Sequence, residues 1–238
     1  MKLDILAFAA HPDDIELSCS GTLMKHIDEG KKVGIVDLTQ GELGSRGSVE
    51  IRLTESTESG KIMGLSAREN LKMADCFFEI NQENKIKIIQ QIRRFRPEIV
   101  LSNSIKDRHP DHGKAAKLVS EACFLSGLLK IETFWEGEKQ EHYRPKVIYH
   151  YIQDRYIKPD FVVDVSDYFD RKMKSVMAFK SQFYDPHSRE PITPISSEAF
   201  LDTVKGRMCD LGRDIGVKYG EGFTAERFVG VNGLFDLI

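Results

Sequence analysis

The chain has 238 residues, of which 41% are hydrophobic and 30% are charged, and its formal net charge is −3. These values are typical of one soluble domain, and the lack of a basic excess argues against a nucleic-acid partner. The sequence has no apolar run of about 18 residues and no signal-peptide pattern, which argues against membrane insertion and predicts a cytoplasmic location. The four scattered cysteines are expected to be buried thiols rather than disulfides.

The first half of the chain alternates between strand-like and helix-like patterns. The segment from Leu3 to Ala10 is apolar at nearly every position, which predicts a strand covered on both faces. The amphipathic segment from Ile15 to Glu29 predicts a helix, and Val33 to Leu38 completes a βαβ unit. The other elements predicted here are a helix from Val49 to Met63, a weak strand from Leu71 to Phe77, a helix from Glu83 to Phe95, a strand from Ile99 to Ser102 and a helix from Asp111 to Leu129.

The second half of the chain has a less regular rhythm. Two strands, Val147 to Ile152 and Phe161 to Val165, are expected to extend the sheet. Helices are predicted from Asp167 to Ser181 and from Ser197 to Leu211. The tail that begins with Tyr219-Gly220-Glu221-Gly222-Phe223 is expected to cover the open side of a cleft.

The order of these elements predicts a single domain over residues 1–238. Alternating strands and helices indicate an α/β, Rossmann-like three-layer fold with a mostly parallel sheet. One segment between elements, Thr39 to Ser48, is glycine-rich and too long for a tight turn. Long loops inside compact domains often carry function, so this loop is expected near a binding site.

Two His-Pro-Asp steps stand where a predicted strand gives way to a helix. They are His11-Pro12-Asp13-Asp14 and His109-Pro110-Asp111-His112. Ligands of open parallel sheets bind beyond the carboxyl ends of the strands, so both steps are expected at the same edge. Proline favours the first helical position, and the helix dipole is expected to keep the following carboxylates ionised at neutral pH. A plain role at the start of a helix is the alternative for each histidine.

Histidine and carboxylate side chains that converge on one point predict a metal site. His11 and Asp14, three residues apart across a turn, can chelate one ion. A histidine from the second step could complete three ligands and leave one open position, as in catalytic zinc sites. The spacing does not choose between His109 and His112, and ferrous iron accepts the same ligands as zinc.

The motif pair formed by Ala10-His11-Pro12-Asp13-Asp14 and His109-Pro110-Asp111-His112 resembles that of the LmbE-like, PIG-L family of zinc-dependent N-acetylglucosamine deacetylases. The similarity extends from the first predicted strand to the last predicted helix. Segments between the motifs are similar to the branch that deacetylates N-acetylglucosaminyl-malate in bacillithiol biosynthesis. Those segments are Gly41 to Gly47 with Glu50-Ile51-Arg52, Lys180-Ser181-Gln182 and Tyr219 to Phe223.

The resemblance implies an LmbE-like fold and a site for Zn²⁺, or for Fe²⁺ in the cell. It implies metal ligation by His11, Asp14 and His112, with Asp13 as the general base. It also implies that His109 assists the tetrahedral intermediate and the leaving amine, for which an imidazolium is expected. The implied partners are a small acetylated amino-sugar substrate and further copies of the chain, in a homo-oligomer such as a hexamer.

Three further residues are candidates on chemical grounds. Asp111 is placed in the sequence to orient one of the histidines, with helix capping as the alternative. Arg52 and Arg108 are predicted to bind an acidic part of the substrate, because guanidinium groups form bidentate pairs with carboxylates. An ion-paired surface position is the alternative for both arginines.

Two other functions are consistent with these motifs. The first is deacetylation of a different N-acetyl sugar by a member of the same family. The second comes from another class and is a metal-binding sensor without catalytic activity. The two classes differ at Asp13, because a sensor does not need a carboxylate that is free of the metal.

Overall fold

The computed structural model describes residues 1–236, which form nine strands and seven α-helices. The helices are α1 (Asp14–Ser18), α2 (Ser20–Asp28), α3 (Val49–Met63), α4 (Gln82–Phe95), α5 (Pro110–Ser126), α6 (Phe169–Met177) and α7 (Glu198–Asp214). The strands are β1 (Ile5–Ala9), β2 (Val33–Thr39), β3 (Ala67–Met73), β4 (Ile99–Ser102), β5 (Phe134–Trp135), β6 (Glu138–Lys139), β7 (Val147–Tyr151), β8 (Phe161–Asp164) and β9 (Gly220–Ala225).

Seven strands form one central sheet with the order β3-β2-β1-β4-β7-β9-β8. Strands β3, β2, β1, β4 and β7 run parallel to one another, and β9 runs antiparallel to both β7 and β8. Helices cover the sheet on both faces, which confirms the predicted three-layer α/β fold with a mostly parallel sheet. Strands β5 and β6 form a separate small hairpin.

The core has two parts because side chains of a strand alternate between the faces of the sheet. Leu6 and Phe8 of β1 belong to a cluster with Ile88 of α4 and Val119 of α5. Alternate residues of β1 point to the other face and pack with α1 and α2. Each fully buried aliphatic or aromatic side chain contributes about 1.5–3 kcal/mol, so β1 is anchored from both sides. This anchoring fixes the position of the loop that follows β1.

The helix predicted from Ile15 to Glu29 is interrupted. Helix α1 ends after five residues, and α2 begins beyond Cys19, whose φ of −137° is not helical. Helix α3 has the predicted bounds, since the side chain of Ser48 accepts a hydrogen bond from the N–H of Ile51 and Gly64 ends the helix with a φ of 82°. Within residues 1–236, no helix is long and apolar enough to span a bilayer.

The third strand of the sheet begins earlier than predicted. The expected strand was Leu71 to Phe77, whereas β3 spans Ala67–Met73 at the edge of the sheet. Strand β3 contains many polar residues, so a hydrophobicity pattern does not predict it. Arg68 is one of these polar residues, and its side chain is held by ion pairs. Its guanidinium forms a buried pair with Asp37 of β2 at 2.8 Å and with Glu16 of α1 at 2.6 Å.

The glycine-rich tail does not cover a cleft as predicted but forms the inner strand β9. Its glycines are required by close packing rather than by a turn. A Cβ on Gly222 would lie 3.1 Å from Cδ1 of Ile152, and a Cβ on Gly220 would lie 2.9 Å from the backbone nitrogen of Gly212. A sequence with so few apolar side chains does not show a strand pattern, although Phe223 is buried.

Helix α7 contains two glycines with opposite surroundings, and they provide a matched test of this packing. A Cβ on Gly212 would lie 2.9 Å from the backbone atoms Tyr219 N and Val217 O, which cannot move aside, whereas Gly206 has no atom within 4 Å. We expect Gly212→Ala to lower the free energy of unfolding by about 1–3 kcal/mol. Gly206→Ala is expected to raise it by up to about 1 kcal/mol. Urea unfolding followed by circular dichroism measures both, and equal changes would contradict the packing.

All four cysteines are free thiols. Cys19 and Cys123 are buried as predicted, whereas Cys76 and Cys209 are exposed. The absence of disulfides agrees with the sequence, but burial of all four thiols was wrong.

Candidate active site

The two His-Pro-Asp steps meet at the carboxyl edge of the sheet. Strands β1 and β4 are parallel neighbours, with Ile5 opposite Ile99, so the loops that follow them lie side by side. The ring centroid of His11 lies 4.6 Å from that of His109 and 5.5 Å from that of His112. His11 therefore shares one point with two histidines that lie about a hundred residues later in the chain.

Asp14 links the histidines of the two loops. Its Oδ2 lies 3.6 Å from Nδ1 of His11, and its Oδ1 lies 3.1 Å from Nε2 of His112. Ligands of a tetrahedral ion, each about 2 Å from the metal, stand about 3.3 Å from one another. The side-chain amides of Asn103 and Gln153 donate to the same carboxylate at 2.9 and 3.0 Å and fix its orientation.

His109 borders the same point but has a different environment. The ring nitrogens of His11, His109 and His112 all lie within 4.8 Å of one another, so three histidines could also form a ligand set. Asp14 contacts His11 through Oδ2 and His112 through Oδ1, so it bridges the two histidines with different oxygens. Asp14 and His109 are therefore both candidates for the third donor beside His11 and His112.

The electrostatics of these groups suit a cation. Burial alone would raise the pKa of Asp14, but the neighbouring His112 and His11 outweigh it and hold that pKa well below its usual value. Burial alone would lower the pKa of His112, but the charge of Asp14 and a hydrogen bond to Asp107 raise it to about 9. The carboxylate is thus ionised and stabilised by positive charge, which a divalent ion on the same donors also supplies. The donor set of two imidazoles and one carboxylate fits zinc or ferrous iron.

Further carboxylates contact both histidines, and His11, Asp75 and Asp111 form a second group whose ligand atoms lie within 4.8 Å of one another. Nε2 of His11 lies 3.1 Å from Oδ1 of Asp75 and 3.4 Å from Oδ2 of Asp111. Nδ1 of His112 is hydrogen-bonded to Asp107. Such partners fix the ring orientation of metal-binding histidines. The structure places Asp111 beside His11, and sequence analysis missed Asp75 and Asp107.

Asp13 has an unusual backbone and an unusual acidity. It precedes α1 with a φ of 113°, a conformation that costs a residue with a side chain about 1–3 kcal/mol. Burial raises its pKa to about 7, although the nearby charge of Arg52 opposes the shift. The helix dipole was expected to keep both Asp13 and Asp14 ionised at neutral pH, and the lowered pKa of Asp14 agrees. A pKa of about 7 leaves Asp13 only partly ionised, because α1 has only five residues and desolvation is the larger effect.

His109 caps the start of α5. Its Nδ1 accepts a hydrogen bond from the backbone N–H of Asp111 at 3.3 Å, so the neutral ring carries its hydrogen on Nε2. Burial lowers the pKa of His109, and the charges of His11 and His112 lower it further. These surroundings disfavour the expected imidazolium, and the neutral ring donates from Nε2.

Both predicted arginines line an open cavity of about 180 Å³, whose wall also includes Asp13 and the three histidines. Arg52 is buried, donates a hydrogen bond to Gln182 and packs under the glycine-rich loop, where a Cβ on Gly41 or Gly44 would overlap its guanidinium. The loop therefore needs glycine at these positions to admit Arg52. This contact explains why a glycine-rich segment follows β2.

Arg108 lies on another part of the cavity wall and is partly exposed. Its Nε donates to Oδ2 of Asp154 at 2.8 Å. Arg207 of α7 contacts the same aspartate and also lines the cavity. Sequence analysis did not single out Asp154 or Arg207.

Comparison with known proteins agrees with this architecture. A family model described as GlcNAc-PI de-N-acetylase (PIG-L) matches residues 6–123. The chain is 30% identical over 190 residues to the diacetylchitobiose deacetylase of Thermococcus kodakarensis, a match that covers 75% of this chain and 70% of that protein. It is 24% identical over 192 residues to the 4-oxalmesaconate hydratase of Pseudomonas putida, covering 74% and 73% respectively.

A solved structure shows the same fold at higher identity. The conserved protein TT1542 from Thermus thermophilus has a TM-score of 0.85 and is 34% identical, and the match covers 97% of this chain and 98% of that one. The similarity therefore extends over the whole sheet and the loops that carry the histidine and aspartate cluster.

Proposed function

From the premise that this chain belongs to the PIG-L family, described as GlcNAc-PI de-N-acetylase, we propose that it hydrolyses the acetamide of N-acetylglucosaminyl-malate in bacillithiol biosynthesis. The observation that carries the proposal is the position of Asp13. A buried carboxyl group with a pKa of about 7 lies beside the histidine and aspartate cluster at one end of the cavity. A general base works best when its pKa lies near the working pH.

The cluster provides the donors for a resident metal ion. We propose that His11, Asp14 and His112 hold Zn²⁺, or Fe²⁺ in the cell, because Asp14 contacts both histidines and its carboxylate is oriented by buried hydrogen bonds. When bound, the ion supplies Lewis acidity to water and to the amide carbonyl. His109 remains free of the metal in this assignment.

The protein groups then divide the proton transfers between them. Asp13 accepts a proton from the water that attacks the acetyl carbon. His109 donates a hydrogen bond from Nε2 to the oxygen on which negative charge develops, which is its role as a neutral imidazole. The C–N bond breaks as Asp13 returns its proton to the leaving amine, so the products are acetate and a free amino sugar.

We propose that Arg52 and Arg108 contact different parts of the substrate. We propose that Arg52 binds near the reacting end, since its charge is the main one that opposes the raised pKa of Asp13. Arg108 also lines the cavity and is next to His109 in sequence, and we propose that it meets the aglycone. The similarity to a diacetylchitobiose deacetylase favours a second candidate, which is deacetylation of a neutral N-acetyl sugar at the same site.

We also propose that the chain forms a homo-oligomer. Several apolar side chains in the last part of the described chain are exposed to solvent, and Phe228 and Phe235 are fully exposed. Burial of such side chains against another copy would remove apolar area from water.

An acetate-release assay tests the proposed function directly. The zinc-loaded protein is expected to release acetate from N-acetylglucosaminyl-malate with a higher kcat/KM than from diacetylchitobiose. Removal of the metal with a chelator should abolish release, and added zinc should restore it. Turnover of diacetylchitobiose alone would favour the second candidate, and release of acetate from neither compound would contradict deacetylation of both substrates.

A further inference from the structure

Two arginines and one aspartate form a cluster on the cavity wall, and only Arg108 of the three has a role in the function proposed above. Arg108 donates from Nε to Oδ2 of Asp154 at 2.8 Å. Arg207 donates from Nη2 to the backbone carbonyl of Asp154 at 2.9 Å and lies 3.5 Å from Oδ1 of the same residue. We call these three residues the arginine cluster. It joins three elements, because Arg108 follows β4, Asp154 follows β7 and Arg207 belongs to α7.

The arginine cluster carries an excess of positive charge. Two guanidinium groups share one carboxylate, and the side chain of Arg207 is only 16% exposed. Burial lowers the pKa of Arg207, and the charges of Asp154 and Asp107 only partly offset that shift. Asp107 already serves His112 and the backbone N–H of Arg155. In the described part of the chain, no carboxylate near Arg207 is therefore free to neutralise the second arginine.

Several donors of the cluster also lack acceptors. Within residues 1–236, Nη1 and Nη2 of Arg108 make no hydrogen bond to the protein. The same holds for Nε and Nη1 of Arg207 in that part of the chain. These nitrogens are open to solvent rather than sealed in the core, and the side chain of Arg108 is 47% exposed. An anion in the cavity can therefore reach them, and carboxylate or phosphate oxygens match the planar guanidinium geometry best.

The position of the cluster relates it to the reacting end of the cavity. Arg108 is next to His109 in sequence, and Asp154 follows Gln153, which donates to Asp14. The loops that orient the candidate metal ligands thus also hold the arginine cluster. Beside it, Phe200 and Val204 of α7 form an apolar part of the same wall. The cavity is consequently cationic at one place and apolar at another.

We propose that Arg207, together with Arg108 across Asp154, forms a subsite for a small oxyanion on the aglycone of the substrate. The inference rests on the proposed deacetylase function and makes Arg207 a specificity-determining residue for that reaction. Arg52 differs from it, because Arg52 lies beside Asp13 and serves the reacting end. The enzyme would then select N-acetyl sugars that carry a carboxylate or phosphate next to the sugar.

Steady-state kinetics of Arg207→Met on three substrates test this subsite. The substrates are N-acetylglucosaminyl-malate, N-acetylglucosamine 1-phosphate and neutral diacetylchitobiose. The ratio of kcat/KM for the malate conjugate over the neutral sugar is expected to fall about 10- to 100-fold, with most of the change in KM. Arg207→Lys should recover part of the ratio, because it keeps the charge but loses the planar guanidinium. Arg52→Met is expected to slow the malate conjugate and the neutral sugar to a similar extent.

Lys205→Met is the matched control, since Lys205 is an exposed cation on the same helix and does not line the cavity. It should leave the ratio unchanged, which separates a local effect from a change in net charge. A ratio in Arg207→Met that equals that of the wild type would overturn the subsite, even if deacetylation itself is confirmed. A wild type that deacetylates none of the three would overturn the proposed function first. A larger loss for the malate conjugate than for the phosphate would identify a carboxylate as the anion, and the reverse would identify a phosphate.

Discussion

Replacement of Asp13 by asparagine is expected to lower kcat for deacetylation by about 10²- to 10⁴-fold while zinc remains bound. Asparagine has nearly the same size as aspartate and tolerates the left-handed backbone region, so the φ of 113° at this position is not a barrier to the exchange. What is lost is the proton acceptor whose pKa burial has raised to about 7. Acetate release measures the rate, and elemental analysis measures the zinc content.

Asp14→Asn is the matched comparison, because it changes the adjacent carboxylate that contacts both His11 and His112. That variant is expected to lose zinc as well as activity. If Asp13→Asn lost its zinc, Asp13 would be a ligand and not a base. If Asp13→Asn kept both zinc and full activity, the proton acceptor would lie elsewhere, and a sensor that needs only the metal would regain support.

The sequence was sufficient for the fold wherever burial follows a simple pattern. Strand β1 and strand β2 are buried along their whole length, so their apolar runs are visible in the sequence. Strand β3 was misplaced and strand β9 was missed, because their residues are suited to ion pairing and close backbone packing rather than to an apolar pattern. Arg68 in β3 completes a buried ion-pair network, and Gly222 in β9 admits a neighbouring side chain. A hydrophobic pattern cannot show either requirement.

The sequence predicted the candidate site only in part, as it did the fold. The two His-Pro-Asp steps carry local signals, and the positions of the strands bring them together. Asn103 and Asp75 were missed because each contacts a residue of another loop, such as Asp14, which is 89 positions from Asn103. Asp107 was missed although it contacts His112 only five positions away. Asn103 and Asp107 do lie in the segment that follows β4, so a polar loop at the sheet edge was their only signal. The raised pKa of Asp13 is caused by burial, and a local sequence motif does not predict burial.

The second large effect is expected for stability, at the buried ion pair between Lys172 of α6 and Glu221 of β9. Nζ of Lys172 lies 2.7 Å from Oε1 of Glu221, and both side chains are at most 1% exposed. The same carboxylate accepts hydrogen bonds from the backbone N–H groups of Gly21 and Thr22 at the start of α2. Cys19 provides no side-chain cap there, so a residue 200 positions away caps the helix.

Lys172→Met is therefore expected to lower the free energy of unfolding by about 3–5 kcal/mol, because it leaves the Glu221 carboxylate buried without its partner. Lys146→Met is the matched control, since Lys146 pairs with Glu98 on the surface at the same distance of 2.7 Å and should cost far less. Adding Glu221→Gln to Lys172→Met should recover part of the loss, because no charge remains unpaired and the amide oxygen still accepts one of the two hydrogen bonds from α2. Urea unfolding measures the free energy of unfolding of the three variants. Equal costs for Lys172→Met and Lys146→Met would show that burial does not strengthen the need for this pair, and Glu221 would then act through its helix cap alone.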